Sequence, residues 1–152
     1  MFAPHVTVAC IIKYKQKYLF VEEHDAGRVV LNQPAGHLEA NESLNQAVSR
    51  EVLEETGLAL EPQGLVGCYL FTSPHNHITY LRFCYCYEFT SAPPPCKPQD
   101  HDIINCHWLS LEQLKERHTQ LRSALVLEVI EDFEQGKRAP MEMLKYYPDG
   151  NV

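Results

Sequence analysis

The sequence has little that would place the protein in a membrane or in a secreted disulfide framework. No apolar run is longer than residues 6–12, which is far too short to span a bilayer as a helix. The first residues lack the basic segment and the cleavage site of a signal peptide. The six cysteines form no CxxC pair and no zinc-finger spacing, a usage typical of reduced thiols. We therefore expect a cytoplasmic protein that does not act at a membrane.

Positive charge is also scarce, which bears on the class of partner. Thirteen Lys and Arg residues stand against twenty Asp and Glu residues, so the formal net charge is -7 and the pI is near 5.6. A protein that grips a nucleic-acid polymer or an anionic membrane needs the opposite balance. A chain of 152 residues with 45% hydrophobic residues can nevertheless bury the core of one domain. The positions of the carboxylates therefore matter more than their number.

The pattern of apolar residues predicts strands and two long helices in a single domain. Alternating or continuous apolar runs predict strands at residues 5–12, 18–22, 64–71, 78–89 and 103–109. Helical spacing predicts helices at residues 42–56 and 123–135, each followed by a glycine. No repeat and no linker divides the chain, so we expect one mixed α/β domain over residues 1–136. Residues 137–152 are weakly patterned and are predicted to form a tail that packs on the domain or extends from it.

The first predicted helix carries glutamates where its apolar face should continue. A stripe that includes Leu44 and Val48 reaches Glu51, Glu54 and Glu55 when it is extended by steps of three and four residues. Three anions at a helix C-terminus repel one another and oppose the helix dipole. One interpretation is an exposed charged edge of the helix. The other is a site for a hard divalent cation, which prefers oxygen ligands.

The residues around this helix form a spaced pattern of glycine, arginine and glutamate. Its members are Gly36, Glu42, Arg50, Glu51, Glu54, Glu55 and Gly57, with apolar residues at positions 52 and 58. This arrangement matches the Nudix box, and the chain resembles a Nudix hydrolase. Residues 4–10, 32–39 and 121–126 are similar to the bacterial phosphatase NudJ subgroup of that family. The resemblance implies a Nudix-type α/β/α sandwich with a mixed sheet, a box helix and a C-terminal helix.

The resemblance also implies a metal site and catalytic residues. It assigns Glu51, Glu54 and Glu55 as side-chain ligands of Mg²⁺, for which Mn²⁺ can substitute, and the backbone carbonyl of Gly36 as a further ligand. The same glutamates and Arg50 are the expected catalytic residues, and any one of the glutamates could be the general base. Few carboxylates together with substrate phosphates suit the coordination of Mg²⁺.

The remaining residues of the pattern have supporting roles in this interpretation. Arg50 is expected to orient a metal-binding glutamate or Glu42, and Glu42 is expected to be structural at the start of the helix. Gly57 needs no role beyond the helix C-cap. Members of the family often add an acidic ligand from a loop before a Trp-bearing strand. Asp102 is the better match, Asp100 is the alternative, and a solvated loop is the third interpretation.

The substrate implied by the resemblance is a small phosphorylated molecule. The expected reaction releases orthophosphate from nucleoside di- and triphosphates and from thiamine-pathway pyrophosphates such as hydroxymethylpyrimidine diphosphate. Release of pyrophosphate and a monophosphate is the alternative reaction, and a non-catalytic nucleotide-binding module is the alternative class. His37 and Arg82 are candidate substrate-binding residues, although Arg82 could equally be a solubility charge on an edge strand. We expect a monomer that binds no nucleic-acid polymer.

Overall fold

The computed structural model describes residues 1–148, which form seven strands, three α-helices and two short 3₁₀ helices. The strands are β1 (His5–Tyr14), β2 (Lys17–Asp25), β3 (Arg28–Asn32), β4 (Ala35–His37), β5 (Gly64–Thr72), β6 (Thr79–Phe89) and β7 (Ile103–Ser110). The helices are α1 (Leu44–Thr56), α2 (Leu111–Glu116) and α3 (Leu125–Glu134), and the 3₁₀ helices are His118–Gln120 and Met141–Met143.

The strands form one mixed sheet in which β1 is central. β1 runs parallel to β6 and antiparallel to β2 and β4, while β7 pairs with β2 and β5 pairs with β6. β1 contacts β2 only near their shared turn, so the two strands diverge. Beyond that turn, β4 extends the sheet from β1 and β7 extends it from β2. The divergence leaves room for β4 beside β1, and β4 contains Gly36. Because β4 is the element before α1, Gly36 lies close to that helix.

The two faces of the sheet bury separate apolar cores. Alternate residues of β1 divide between them, with Ala9 and Ile11 on one face and Val8 and Ile12 on the other. The first face packs against α2 and α3, and the second packs against the apolar side of α1. The predicted α/β/α sandwich with a mixed sheet, a box helix and a C-terminal helix is therefore confirmed. No helix within residues 1–148 is long and apolar enough to span a bilayer.

The box helix begins two residues later than the sequence pattern predicts. Ser43 is the N-cap, and it forms a capping box in which its hydroxyl accepts from the Gln46 N–H and the Gln46 side chain accepts from the Ser43 N–H. Glu42 therefore lies outside the helix and is free to bind another group. At the other end, Gly57 adopts a φ of 75° and its N–H donates to the Leu53 carbonyl oxygen. This left-handed conformation is the one that favours glycine.

The segment after α3 returns to the sheet. The Ala139 N–H donates to the Leu65 carbonyl oxygen at 2.8 Å, and the Arg138 guanidinium lies over the Phe133 ring at 4.3 Å. Ala139 thus packs on the domain at β5, and Met141 and Leu144 are partly buried against the core that faces α1. The last part of the predicted tail, residues 149–152, lies outside the described residues.

Candidate active site

The end of β4 brings a backbone glycine against a glutamate of α1. The Glu51 carboxylate packs directly on Gly36. A β-carbon at position 36 would lie 2.1 Å from the carboxylate carbon of Glu51, far inside any normal contact distance. A side chain at position 36 would therefore displace the Glu51 carboxylate, and the Gly36 backbone shares one site with the Glu51 side chain.

Arg50 binds the glutamates of both the loop and the helix. Its Nε donates to Glu42 at 2.9 Å and its Nη2 donates to the same carboxylate at 2.8 Å. Its Nη1 donates to Glu51 at 2.8 Å and to Glu54 at 3.3 Å, and Nη2 also donates to the His37 carbonyl oxygen at 3.0 Å. Hydrogen bonds from Arg50 lower the pKa of Glu42. Arg50 therefore ties the loop to α1 and orients Glu51.

Glu55 is the most deeply buried carboxylate of α1. It is 5% exposed, and its Oε1 accepts a hydrogen bond from the Ala35 N–H at 2.8 Å. Among residues 1–148 it forms no ion pair. Burial, and after it the charge of Glu23, raises the pKa of Glu55 to about 9. Burial also raises the pKa of Glu51 to about 6 in spite of Arg50. Burial thus disfavours negative charge on both carboxylates, and only Glu51 has the partial compensation of Arg50.

Glu54 differs from the other two glutamates of the box. Its side chain is 42% exposed, whereas that of Glu51 is 13% exposed. The expectation that all three lie on the buried face of α1 is therefore wrong. The buried stripe runs through Val48 and Val52 to Glu55, so Glu51 and Glu54 lie at its margin.

The donor set at this site has the chemistry of a site for a hard cation. Carboxylate oxygens beside a glycine backbone are the ligands that Mg²⁺ prefers. Within residues 1–148, no three His, Cys, Asp or Glu side chains lie close enough together to hold an ion as they are placed. The reason is that Glu51 and Glu54 point to the Arg50 guanidinium, while Glu55 points to the Ala35 N–H.

The loop before β7 contains two aspartates that differ in solvent exposure, since Asp100 is partly buried and Asp102 is exposed. The Asp100 N–H donates to the Glu54 carbonyl oxygen at 2.9 Å, which fastens the loop to the end of α1. The charge of Asp100 is one of the causes that raise the pKa of Glu55. Asp102 is exposed, and its N–H donates to the Asp100 carboxylate at 2.9 Å. The charge that reaches Glu55 is thus that of Asp100 and not that of Asp102, the residue preferred from the sequence.

A cavity of about 100 Å³ opens beside Gly36. His37 lies at its entrance, where its Nε2 is 3.1 Å from the Nδ1 of His5. Partial burial, together with the neighbouring His5, lowers the pKa of His37. Arg82 also lines the cavity and is only 8% exposed, on β6 between β1 and β5. It is therefore not a solubility charge on an edge strand.

Comparisons with known proteins identify the family. The NUDIX domain family matches residues 3–129 of this chain. This chain belongs to the Nudix hydrolase family. Phosphatase NudJ of Escherichia coli strain K12 is 42% identical over 144 residues, which cover 95% of this chain and 92% of that protein. A NUDIX hydrolase from Nitrosomonas europaea is 44% identical, with a TM-score of 0.89, and the match covers 97% of this chain and all of the other.

A more distant solved structure shows that the same fold also occurs as one part of a longer protein. A bifunctional NMN adenylyltransferase/ADP ribose pyrophosphatase from Francisella tularensis, complexed with AMP and a Mn ion, is 22% identical with a TM-score of 0.71. The match covers 88% of this chain and 42% of that one, so it shows the fold alone. This Nudix hydrolase is therefore similar, over nearly its whole length, to proteins that are named as enzymes.

Sequence reasoning missed several residues of this Nudix hydrolase's cavity. Thr7, Asn32 and Arg122 line it, and Arg122 donates to the buried Glu23 carboxylate at 2.9 Å. Glu23 lies one residue beyond the strand predicted at residues 18–22, although β2 extends to Asp25, so the sequence pattern gave its side chain no face. A register shift between Glu22 and Glu23, opposite β7, decides which carboxylate turns inward. No single-sequence pattern reports such a shift.

Proposed function

We propose that this Nudix hydrolase cleaves phosphoanhydride bonds in small organic di- and triphosphates and releases orthophosphate. The observation that carries the proposal is a pair of carboxylates, the buried Glu55 and the partly buried Glu51, against the backbone of Ala35 and Gly36, two residues that line a cavity with a buried arginine. Acidic residues alone would repel a phosphorylated substrate. A bound cation reverses that repulsion, so an acidic protein can take an anionic substrate.

The proposed cofactor is Mg²⁺, with Mn²⁺ as a substitute. Glu51, Glu54, Glu55 and the Gly36 carbonyl would hold it, and Asp102, or Asp100 in its place, would complete the set. When bound, the cation supplies Lewis acidity and lowers the pKa of a water molecule.

The side chains of the box have two proposed roles, which are positioning and proton transfer. Arg50 fixes Glu51 through its bond to Glu42, because the same guanidinium holds both carboxylates. One of the three glutamates takes a proton from the attacking water. Glu54 is the best placed for this role, since its side chain is open to solvent while Glu55 is enclosed.

The cavity residues bind the substrate in this proposal. Arg82 and His37 line the same cavity as Gly36. Since the pKa of His37 is lowered, the ring is neutral near pH 7 and can donate one hydrogen bond to a phosphate oxygen. The proposed substrates are nucleoside di- and triphosphates and thiamine-pathway pyrophosphates such as hydroxymethylpyrimidine diphosphate. The similarity to phosphatase NudJ supports orthophosphate as the product.

A substrate panel with product analysis tests the proposal. Orthophosphate and pyrophosphate are measured as first products in the presence of Mg²⁺, for the wild type and for Glu54→Gln and Glu55→Gln. We expect orthophosphate from the wild type and at least a hundredfold loss of kcat in both variants. Glu112→Gln, on the exposed side of α2, is the matched control and should keep full activity. Wild-type rates in both box variants would overturn the proposed metal site.

Other outcomes of the same panel lead to different functions. Pyrophosphate as the first product would make the protein a pyrophosphohydrolase that leaves a monophosphate. No hydrolysis of any substrate would favour a module that binds a nucleotide without catalysis. Retention of Glu51, Glu54 and Glu55 supports catalysis over that alternative. We also propose that the protein is a monomer, which sedimentation at micromolar concentration would test.

A further inference from the structure

The inner end of the cavity contains buried polar atoms that have no partner in the protein. These atoms are Oγ1 of Thr7, Oδ1 of Asn32 and Nε of Arg82. The three residues are 5%, 1% and 8% exposed, and all of them line the cavity. A buried donor or acceptor without a hydrogen bond is unfavourable in a folded protein. Their collection in one cavity is typical of a binding site and not of a core.

The three residues converge because of the sheet register. Thr7 of β1 lies directly opposite Arg82 of β6 in the parallel pair, so both side chains project from the same face. Asn32 is the last residue of β3, and it lines the same cavity. Burial raises the pKa of the Glu23 carboxyl, and hydrogen bonding from the Arg122 and Asn32 side chains opposes that rise. Because a carboxylate only accepts, the amide nitrogen faces Glu23 and Oδ1 is left as an unpartnered acceptor.

The charges around this end do not suit a second phosphate group. Arg82 and Arg122 are balanced by Asp25, which lines the cavity, and by Glu23, which binds Arg122 at 2.9 Å. An ionised phosphate offers only acceptors, so it could not satisfy the Asn32 oxygen. A neutral group that offers both a donor and an acceptor would satisfy all three atoms.

The walls and the size of the cavity restrict that group further. The rings of Phe71 and Tyr80 line it and stack on each other, with centroids 5.4 Å apart and planes at 24°. A volume of about 100 Å³ is well below the roughly 300–1,000 Å³ of sites that enclose drug-sized ligands. One flat ring matches this space better than a whole nucleoside does.

We propose that Thr7, Asn32 and Arg82 determine substrate specificity by binding the polar edge of a single heteroaromatic ring, with an amino group beside a ring nitrogen. The inference rests on the proposed function and assigns these residues to the organic part of the substrate. Arg82 donates to the ring nitrogen, and the Asn32 oxygen accepts from the amino group. The Thr7 hydroxyl completes the set as donor or acceptor. The phosphates then lie outward, next to Gly36 and the box glutamates.

A comparison of two diphosphate esters tests the proposal. One carries a 4-aminopyrimidin-5-ylmethyl group, and the other carries a benzyl group of similar size without the polar edge. We expect the wild type to prefer the aminopyrimidine in kcat/KM by at least a hundredfold. Thr7→Val, which replaces the hydroxyl by a methyl group, should reduce that preference about tenfold, in line with one lost hydrogen bond. Thr7→Ser should restore most of it, and Thr90→Val, exposed just beyond β6, should leave activity and preference unchanged.

Thermal stability separates binding from structural support. Because the Thr7 hydroxyl has no partner, Thr7→Val should leave the Tm of the ligand-free protein unchanged or raise it. A fall of several degrees would assign the hydroxyl a structural role and overturn the inference. An equal loss of kcat/KM on both esters would place phosphate at this end and would also overturn it.

The inference stays testable if the protein hydrolyses neither ester, a result that would count against the proposed function alone. In that case binding of 4-aminopyrimidin-5-ylmethanol and of benzyl alcohol to the whole protein is measured by NMR. The aminopyrimidine should shift the amide signals of Thr7 and Asn32 and bind at least tenfold more tightly than benzyl alcohol. Shifts elsewhere, or equal affinity for the two alcohols, would contradict the assignment.

Discussion

Replacement of Glu55 by Gln should stabilise the metal-free protein and remove its metal-dependent activity. The physical reason is that the pKa of Glu55 is raised from 4.5 to about 9 in the folded chain. A carboxyl with a raised pKa contributes its full stability below the unfolded value, and that stability is lost as pH rises through the folded value. Each pH unit between 4.5 and about 9 therefore lowers the free energy of unfolding by about 1.4 kcal/mol.

The size of the effect follows from these two values. Near pH 7.5 the metal-free wild type is less stable than a chain with a neutral side chain at position 55 by at most about 4 kcal/mol. Gln has the shape of Glu and can still accept the hydrogen bond from the Ala35 N–H. At about 2–4 °C per kcal/mol for a protein of this size, the upper limit corresponds to a rise in Tm of roughly 8–16 °C.

The assay is thermal unfolding with EDTA across a pH series. The advantage of Glu55→Gln over the wild type should be small near pH 5 and should grow towards pH 8. Added Mg²⁺ or Mn²⁺ should raise the Tm of the wild type and leave that of the variant nearly unchanged. Glu131→Gln, exposed on α3, is the matched control and should follow the wild type. A pH-independent difference, or a loss of stability in Glu55→Gln, would refute the reasoning.

Three further predictions follow from the geometry of the site. Arg50→Lys removes the planar fork that holds two carboxylates at once, so kcat should fall at least tenfold in steady-state assays while the fold is retained by circular dichroism. Gly36→Ala places a methyl group on the Glu51 carboxylate, so the Kd for Mn²⁺, measured by electron paramagnetic resonance, should rise at least tenfold. Asp100→Asn should weaken Mn²⁺ binding more than Asp102→Asn, because Asp100 is hydrogen-bonded to the end of α1 and its charge raises the pKa of Glu55, whereas Asp102 is exposed; the reverse order would return the role to Asp102.

The chemistry of the box could be predicted from the sequence because its residues are close together along the chain. The spacing within one helix fixes which side chains are neighbours, and a glycine before that helix is recognisable without a structure. The same local reasoning started the helix two residues too early. Ser43 is the N-cap, and its capping box with Gln46 excludes Glu42 from the helix.

The cavity could not be predicted in the same way because its residues come from distant strands. Thr7 and Arg82 meet only through the parallel pairing of β1 with β6, a long-range register that alternation does not specify. Arg82 lies in a strand buried on both faces, so neither orientation could be excluded from sequence. The inward turn of Glu23 depends on the register shift opposite β7. Residues on one helix were thus predictable, and contacts that depend on strand pairing were not.

Affinity for a diphosphate that cannot be hydrolysed tests the central claim most directly. A methylene-bridged diphosphate ester is titrated into the wild-type protein by calorimetry, first with Mg²⁺ and then with EDTA. If the glutamates of α1 attract phosphate only through a bound cation, the affinity should fall at least a hundredfold when the metal is removed. Tight binding that persists in EDTA would contradict the account, because the carboxylates beside Gly36 would then face the phosphates with no cation between them.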